Sequence, residues 1–339
     1  MADAVQIVLA FALAAALTVA IVPTAISVAN RTGFLDRPLG YKAHGQPTPY
    51  LGGAAVLAAV LFTALLLAGG LSRYWPLLAG TVGLALVGTV DDRVNLSPWL
   101  RVATELLAAW FLWDRGLGWS LFSSEAANLV LTGLWVTAIV NGFNLMDNLD
   151  GAAASVAAVS AACVAALAVV GDDLPLAVIA VALGGALVGF LRYNLAEPAR
   201  IFLGDGGSMA IGFLLAGSLM VVPMGMLSGF STLVTAIFAV GLPVFDTSLV
   251  ILSRRRRGAP VLSGGTDHST HRLRAVLETP RAVALALVAG QGALCGLAIA
   301  ASRLGGGVAI ALAAGALLLG VATIAAVDGL KWTIASHDS

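Results

Sequence analysis

Residues 152–194 read AAASVAAVSAACVAALAVVGDDLPLAVIAVALGGALVGFLRYN. Two apolar runs, 152–170 and 175–194, are parted only by the turn Gly171-Asp172-Asp173-Leu174-Pro175. Each has the length of roughly 20 residues that a helix needs to cross the hydrocarbon of a bilayer. Outward from this pair the pattern recurs between charged or Gly/Pro-rich breaks. Spans are expected at 4–29, 52–71, 74–90, 99–114, 127–146, 208–223, 229–252, 281–302 and 306–327, which makes eleven in all. The whole chain of 339 residues is 59% hydrophobic and 11% charged, with a mean hydropathy of +0.96. That leaves too little polar surface to coat a water-soluble globule. The expected fold is all-α, a polytopic membrane helix bundle forming one domain over 1–339.

The 18 basic and 18 acidic residues cancel, so no basic excess argues for a nucleic-acid partner. Their placement is informative instead. Basic residues accumulate in cytoplasmic loops. With the N-terminus outside, every Lys and Arg except Arg73, Arg115 and Arg303 falls on the inner side. The loops 30–51, 91–98, 141–151, 195–207 and 253–280 then face the cytoplasm together. The run 4–29 lacks a basic leader and is followed by further spans, so it is read as a retained helix. Span 99–114 carries Arg101 and Glu105 and must face protein. Cys163 and Cys295 sit singly in apolar runs and read as small core residues.

Chemistry-bearing residues cluster in the inner loops. Asp91 and Asp92 end the third span; adjacent carboxylates repel and resist burial, which calls for a metal, proton or phosphate partner. In Asn141-Gly142-Phe143-Asn144-Leu145-Met146-Asp147-Asn148-Leu149-Asp150-Gly151 the polar residues recur every three, so a helix would align Asn141, Asn144, Asp147 and Asp150 on one face. Amides suit a nucleobase edge or sugar hydroxyls, and carboxylates suit a metal or a ribose. Phe202-Leu203-Gly204-Asp205-Gly206-Gly207-Ser208 opens the eighth span. Its glycines would let backbone N–H groups approach a diphosphate at a helix N-terminus, with Asp205 holding Mg²⁺. Phe202 is a packed aromatic or a base-stacking platform.

The longest inner loop holds Asp267-His268-Ser269-Thr270-His271-Arg272-Leu273, in which two histidines three apart can share a helix face. His268, His271 and Arg272 could bind a diphosphate or lipid phosphate, or form half of a zinc site; the remaining histidines, His44 and His337, are distant in sequence. Arg254 to Arg257 read as a topology and lipid-headgroup feature. Pro47-Thr48-Pro49-Tyr50-Leu51-Gly52-Gly53 is a stiff loop whose glycines permit close helix packing. Asp246 lies near a kink expected at Pro243, where it would bond a freed backbone group or act in the site.

Five clusters in this order resemble the polyprenyl-phosphate N-acetylhexosamine-1-phosphate transferases, the family of MraY and WecA, over nearly the whole chain. The paired aspartates look like Asp91 and Asp92, the NxxNxxDGxDG loop like Asn141 to Gly151, and the F-x-GD-x-GS element like Phe202 to Ser208. The histidine loop resembles His268 to Leu273, and the PTP-x-x-GG element matches Pro47, Thr48, Pro49, Gly52 and Gly53. The resemblance implies that Asp205 binds magnesium, that Phe202, Asn144, Asp147 and Asp150 shape a uridine pocket, and that Asp91 serves the lipid phosphate. Three positions depart from the pattern. Asn148 stands for the first glycine of DGxDG, Thr270 for a frequent histidine, and Tyr50 for a frequent arginine. His271-Arg272-Leu273, in place of a histidine triplet followed by acidic residues, resembles the WecA/TagO branch and not the muramoyl-pentapeptide branch.

The implied reaction is magnesium-dependent phosphoryl transfer, with manganese as a substitute. Asp91, Asp92 and Asp205 are the expected catalytic residues. A lipid phosphate displaces UMP from a UDP-N-acetylhexosamine, either directly or through an acyl-phosphate on one aspartate. Expected partners are that nucleotide-sugar, a polyprenyl phosphate and the membrane, with a homodimer as an open option. The expected location is the bacterial cytoplasmic membrane. A secondary transporter would show paired halves, and the three acidic loops differ in sequence. A CDP-alcohol phosphotransferase would follow Asp150-Gly151 with a DGxxAR pattern, and Ala152-Ala153-Ala154-Ser155 stands there instead.

Overall fold

The computed structural model describes residues 2–36, 47–224, 227, 229–258, 260, 265 and 267–329. Arg37, Lys42, His44, Lys331 and His337 lie outside them. All eleven expected spans are helical, ten as single helices: α1 (Ala2–Thr32), α2 (Gly52–Leu67), α3 (Trp75–Val94), α4 (Pro98–Asp114), α5 (Glu125–Met146), α6 (Ala152–Val170), α7 (Leu174–Asn194), α8 (Asp205–Val221), α12 (Pro280–Leu304) and α13 (Gly306–Gly329). The span expected at 229–252 is two helices, α9 (Phe230–Ala239) and α10 (Gly241–Arg257), meeting at 86°. A short helix, α11 (Ser269–Leu277), lies within the loop that carries the histidines. Among the described residues the only strands are β1 (Leu35–Asp36) and β2 (Thr48–Pro49), paired antiparallel.

Among the described residues six helices are long and apolar enough to cross a membrane, or seven if α9 and α10 count as one span. The other expected spans are helical but shorter or more polar: α2 has 16 residues, α8 has 17, and α3 ends in Asp91-Asp92-Arg93. Protein surrounds α8 instead of lipid. Its residues from Gly206 to Met220 are all buried, and it contacts α2, α3, α5 and α6. At the periphery, α13 exposes Leu317, Leu318 and Leu319, as a lipid-facing helix does.

The α9–α10 break differs from the kink expected at Pro243. The chain bends at Val240, and Pro243 sits in the first turn of α10, where its missing N–H leaves no helical bond unmade. Freed backbone groups are satisfied from α12. Gln291 accepts from Leu242 N (3.0 Å) and donates to Phe238 O (3.1 Å) and Ala239 O (2.9 Å), and it is fully buried. Orphaning a buried polar group costs about 1–3 kcal/mol. Gln291→Leu is therefore expected to lower the thermal midpoint of detergent-solubilised protein by an amount matching at least one such group.

Candidate active site

The site is built where the last turn of α3 meets the first turn of α8. Asp92 Oδ1 accepts from Asp205 N at 3.0 Å and Asp92 Oδ2 from Gly206 N at 3.3 Å. The anion seated on this helix N-terminus is thus the protein's own carboxylate, which corrects the expectation that these amides are open to a diphosphate. Gly204 makes the approach possible: its φ is +77°, and a Cβ there would lie 2.8 Å from Asp92 Oδ2 and from the Tyr50 carbonyl. The Pro49–Gly53 loop is stitched to the same segment by Phe202 N to Pro49 O, Gly52 N to Phe202 O and Gly53 N to Leu203 O, all 2.8–3.0 Å.

Asp91 closes α3 on its other side. Its Oδ1 accepts from Leu96 N at 2.6 Å beyond the left-handed Asn95, and its Oδ2 lies 2.9 Å from Arg101 Nη1. The same Arg101 nitrogen is 3.6 Å from Asp205 Oδ2, and Arg101 Nη2 donates to Asn144 Oδ1. Asn144 in turn donates to Asp205 Oδ1 (2.7 Å) and Ser208 Oγ (3.0 Å). One guanidinium from α4 therefore joins the ends of α3, α5 and α8. One turn deeper, Asn141 donates to Glu105 Oε2 at 2.6 Å. Asn141 and Asn144 serve here to hold the acids and the arginine, and neither lines the cavity described next.

Asp91, Asp92, Asp147, Asp150, Asp205 and Phe202 line one cavity of about 1580 Å³, with Tyr50, Asn148 and His271. Carboxylates from three separate helix ends thus face one space. Burial, together with the charges of Asp205, Asp92 and Asp150, pushes the Asp147 carboxyl well above its ordinary range. Asn194 fixes the spacing of two loops: its Oδ1 accepts from Gly151 N (2.7 Å) and its Nδ2 donates to Ile201 O (3.0 Å).

The histidines part company. His268 precedes α11 with extended backbone (φ −66°, ψ 149°), so it does not share a helix face with His271. It is buried with Nδ1 2.8 Å from Asp246 Oδ2, whose Oδ1 accepts from the backbone N and the hydroxyl of Ser269, both at 2.6 Å. Asp246 is fully buried and anchors the start of α11 to α10. His271 reaches the cavity; His268 and Arg272 do not line it, and Arg272 donates to Asp267 O (3.2 Å) and Ser253 Oγ (3.4 Å). Arg274, not singled out from sequence, lines the cavity as well. The reading of Arg254 to Arg257 as a headgroup feature needs correction for Arg254. Arg254 is buried and bonds Asp267 at 2.9 Å, and Arg257 bonds the other Asp267 oxygen. Burial works against the Asp267 charge, but these two arginines outweigh it and hold the carboxyl below its usual range.

The family model described as glycosyl transferase family 4 matches residues 74–223, which contain Asp91, Asp92, the 141–151 loop and Asp205. The chain is 30% identical over 283 residues to a Bacillus subtilis protein named "Probable undecaprenyl-phosphate N-acetylglucosaminyl 1-phosphate transferase", covering 80% of this chain and 78% of that one. It is 33% identical over 285 residues to the decaprenyl-phosphate N-acetylglucosaminephosphotransferase of Mycolicibacterium smegmatis, covering 73% and 70% of the two chains. The chain belongs to the polyprenyl-phosphate N-acetylhexosamine-1-phosphate transferases, glycosyl transferase family 4. A 28% identical relative over 261 residues, covering 72% of this chain and 70% of that one, is the Escherichia coli undecaprenyl-phosphate alpha-N-acetylglucosaminyl 1-phosphate transferase.

Within this member of glycosyl transferase family 4, the donor chemistry fits a hard divalent cation: the cavity wall offers carboxylate oxygens whose mutual repulsion a cation would relieve. Among the described residues no three His, Cys, Asp or Glu side chains are placed to hold a metal by themselves. Magnesium asks for less, since it commonly takes one or two carboxylates and completes its shell with phosphate oxygens and water. Besides Arg274, two site residues escaped the sequence reading as site residues, Arg101 and Asn194. A cation inside an apolar helix was the available signal for Arg101; Asn194 gave none.

Proposed function

We propose that this chain transfers N-acetylglucosamine 1-phosphate from UDP-N-acetylglucosamine to a polyprenyl phosphate at the cytoplasmic face of a bacterial membrane, releasing UMP. The observation that carries this reading is the convergence of Asp91, Asp92, Asp147, Asp150 and Asp205 on one cavity, with Arg101 joining Asp91 to Asp205. A phosphate oxygen of the lipid attacks the phosphorus that bears the sugar. The bond from that phosphorus to the oxygen bridging to the uridine-side phosphate breaks, and UMP departs. Arg101, which does not line the cavity, holds Asp91 and Asp205 in place behind its wall. Asp205 is the residue to hold Mg²⁺, which when bound would neutralise the diphosphate and steady the leaving group. Asp147, Asp150 and Phe202 form the nucleotide side, and His271 faces it from α11.

Direct attack suits these residues better than an acyl-phosphate. Both oxygens of Asp92 accept α8 amide hydrogens; Asp91 Oδ1 accepts from Leu96 N, and Asp91 Oδ2, which makes no hydrogen bond among the described residues, is held by its ion pair with Arg101. A nucleophilic role would give up those bonds, whereas a lipid phosphate arrives already ionised. Purified protein is expected to release UMP from UDP-N-acetylglucosamine only when both polyprenyl phosphate and Mg²⁺ are present, and to turn over UDP-MurNAc-pentapeptide far more slowly. No UMP under these conditions, or a preference for the pentapeptide donor, refutes the assignment.

A further inference from the structure

Asn148 and Thr270, two of the positions at which this chain departs from its family's motifs, touch each other: the Thr270 hydroxyl donates to Asn148 Oδ1. Asn148 Nδ2 donates to Leu145 O at 2.6 Å, which fixes the amide orientation and leaves the carbonyl oxygen as the acceptor. Thr270 is fully buried. Asn148 lies between Asp147 and Asp150, which line the cavity from the end of α5, and Thr270 immediately precedes His271, which lines it from α11. This bond is therefore a direct side-chain link between the carboxylate loop and the histidine helix. On its other flank α11 is anchored to α10 through Asp246, with Arg254 holding Asp267. A helix of nine residues has no stability of its own in isolation, so its place is set by such anchors.

We infer that Asn148 and Thr270 are a pair of positioning residues that fix His271 against Asp147 and Asp150 across the cavity, an inference that rests on the transfer reaction proposed above. Thr270 stands behind the cavity wall, whereas Asn148 lines the cavity and joins it to Thr270. Their joint sets a spacing, and misplacing a reacting group by an ångström can cost up to about a hundredfold in rate.

The test uses the full chain in lipid nanodiscs as wild type, Asn148→Ala, Thr270→Val, the double variant and Thr270→Ser. Each is assayed for UMP release and, separately, for backbone hydrogen exchange. Each single loss is expected to lower kcat about tenfold with KM for UDP-N-acetylglucosamine within about twofold of wild type. The double variant should lose no more than the worse single, against roughly a hundredfold for independent sites, and Thr270→Ser, which keeps the hydroxyl, should stay near wild type. Exchange should quicken in 269–277 when Asn148 is changed, and in 147–151 when Thr270 is changed. Multiplicative losses, a Thr270→Ser defect equal to that of Thr270→Val, or exchange unaltered across the joint would overturn the pairing. A wild-type protein that releases no UMP would instead refute the reaction, while hydrogen exchange still decides whether the joint exists.

Discussion

Asp205→Asn is expected to lower sugar-phosphate transfer by about a hundred- to a thousandfold while leaving the protein folded. Asparagine keeps an oxygen that can accept from Asn144 Nδ2, and the bond from residue 205 to Asp92 is made by backbone N–H, which the substitution does not touch. What disappears is the negative charge facing Arg101 and the proposed hard-cation ligand. The loss should therefore appear in kcat for UMP release, with a near wild-type thermal midpoint in detergent. It should also weaken Mg²⁺ activation, so that raising Mg²⁺ recovers little. A variant with substantial activity at ordinary Mg²⁺ would remove Asp205 from the centre of the reaction.

The second large effect concerns architecture. A Cβ added at Gly53 would lie 2.2 Å from Gly207 Cα, 2.4 Å from Gly207 N and 2.9 Å from Leu203 O. All three are backbone atoms, so no rotamer change relieves the clash; α2 and α8 must part. Helices in lipid associate through such close contacts between small residues, with no hydrophobic drive to hold them otherwise. Gly53→Ala is expected to cost about 3 kcal/mol or more, at the upper end for overpacking, and to abolish monodisperse recovery from detergent. Gly83→Ala supplies the control. Nothing lies within 4 Å of its added Cβ, and an alanine inside a helix gains about 0.5–1 kcal/mol over glycine. Equal behaviour of the two variants in size-exclusion chromatography and thermal melting would show that the α2–α8 crossing is not critical.

The helices were readable because lipid demands long apolar runs and the sequence has no other way to satisfy buried backbone. The break at Val240 was not. Pro243 signals a bend at its own position, whereas the bend that forms depends on Gln291, some fifty residues later on another helix. In the site, the three-residue spacing of Asn141, Asn144 and Asp147 located the polar end of α5. The partners of the two asparagines, Glu105, Arg101 and Asp205, come from elsewhere in the chain, so spacing alone could suggest a ligand role for the two amides where the structure gives them a framework role. His268 and His271 were expected on one face because they are three apart. Three apart matters only inside a helix, and His268 stands just before it, turned toward Asp246. A run of four arginines looked uniform in sequence, and only folding distinguishes buried Arg254 from its exposed neighbours.

The burial of α8 has a mechanical consequence. Because the helix that begins at Asp205 touches other helices along its whole length, it stands like a post inside a sleeve, and the sleeve takes up contact with the acyl chains. Of the acids that face the cavity only Asp205 stands at the foot of the post; Asp91, Asp92 and Asp147 stand at the ends of α3 and α5, members of the sleeve itself.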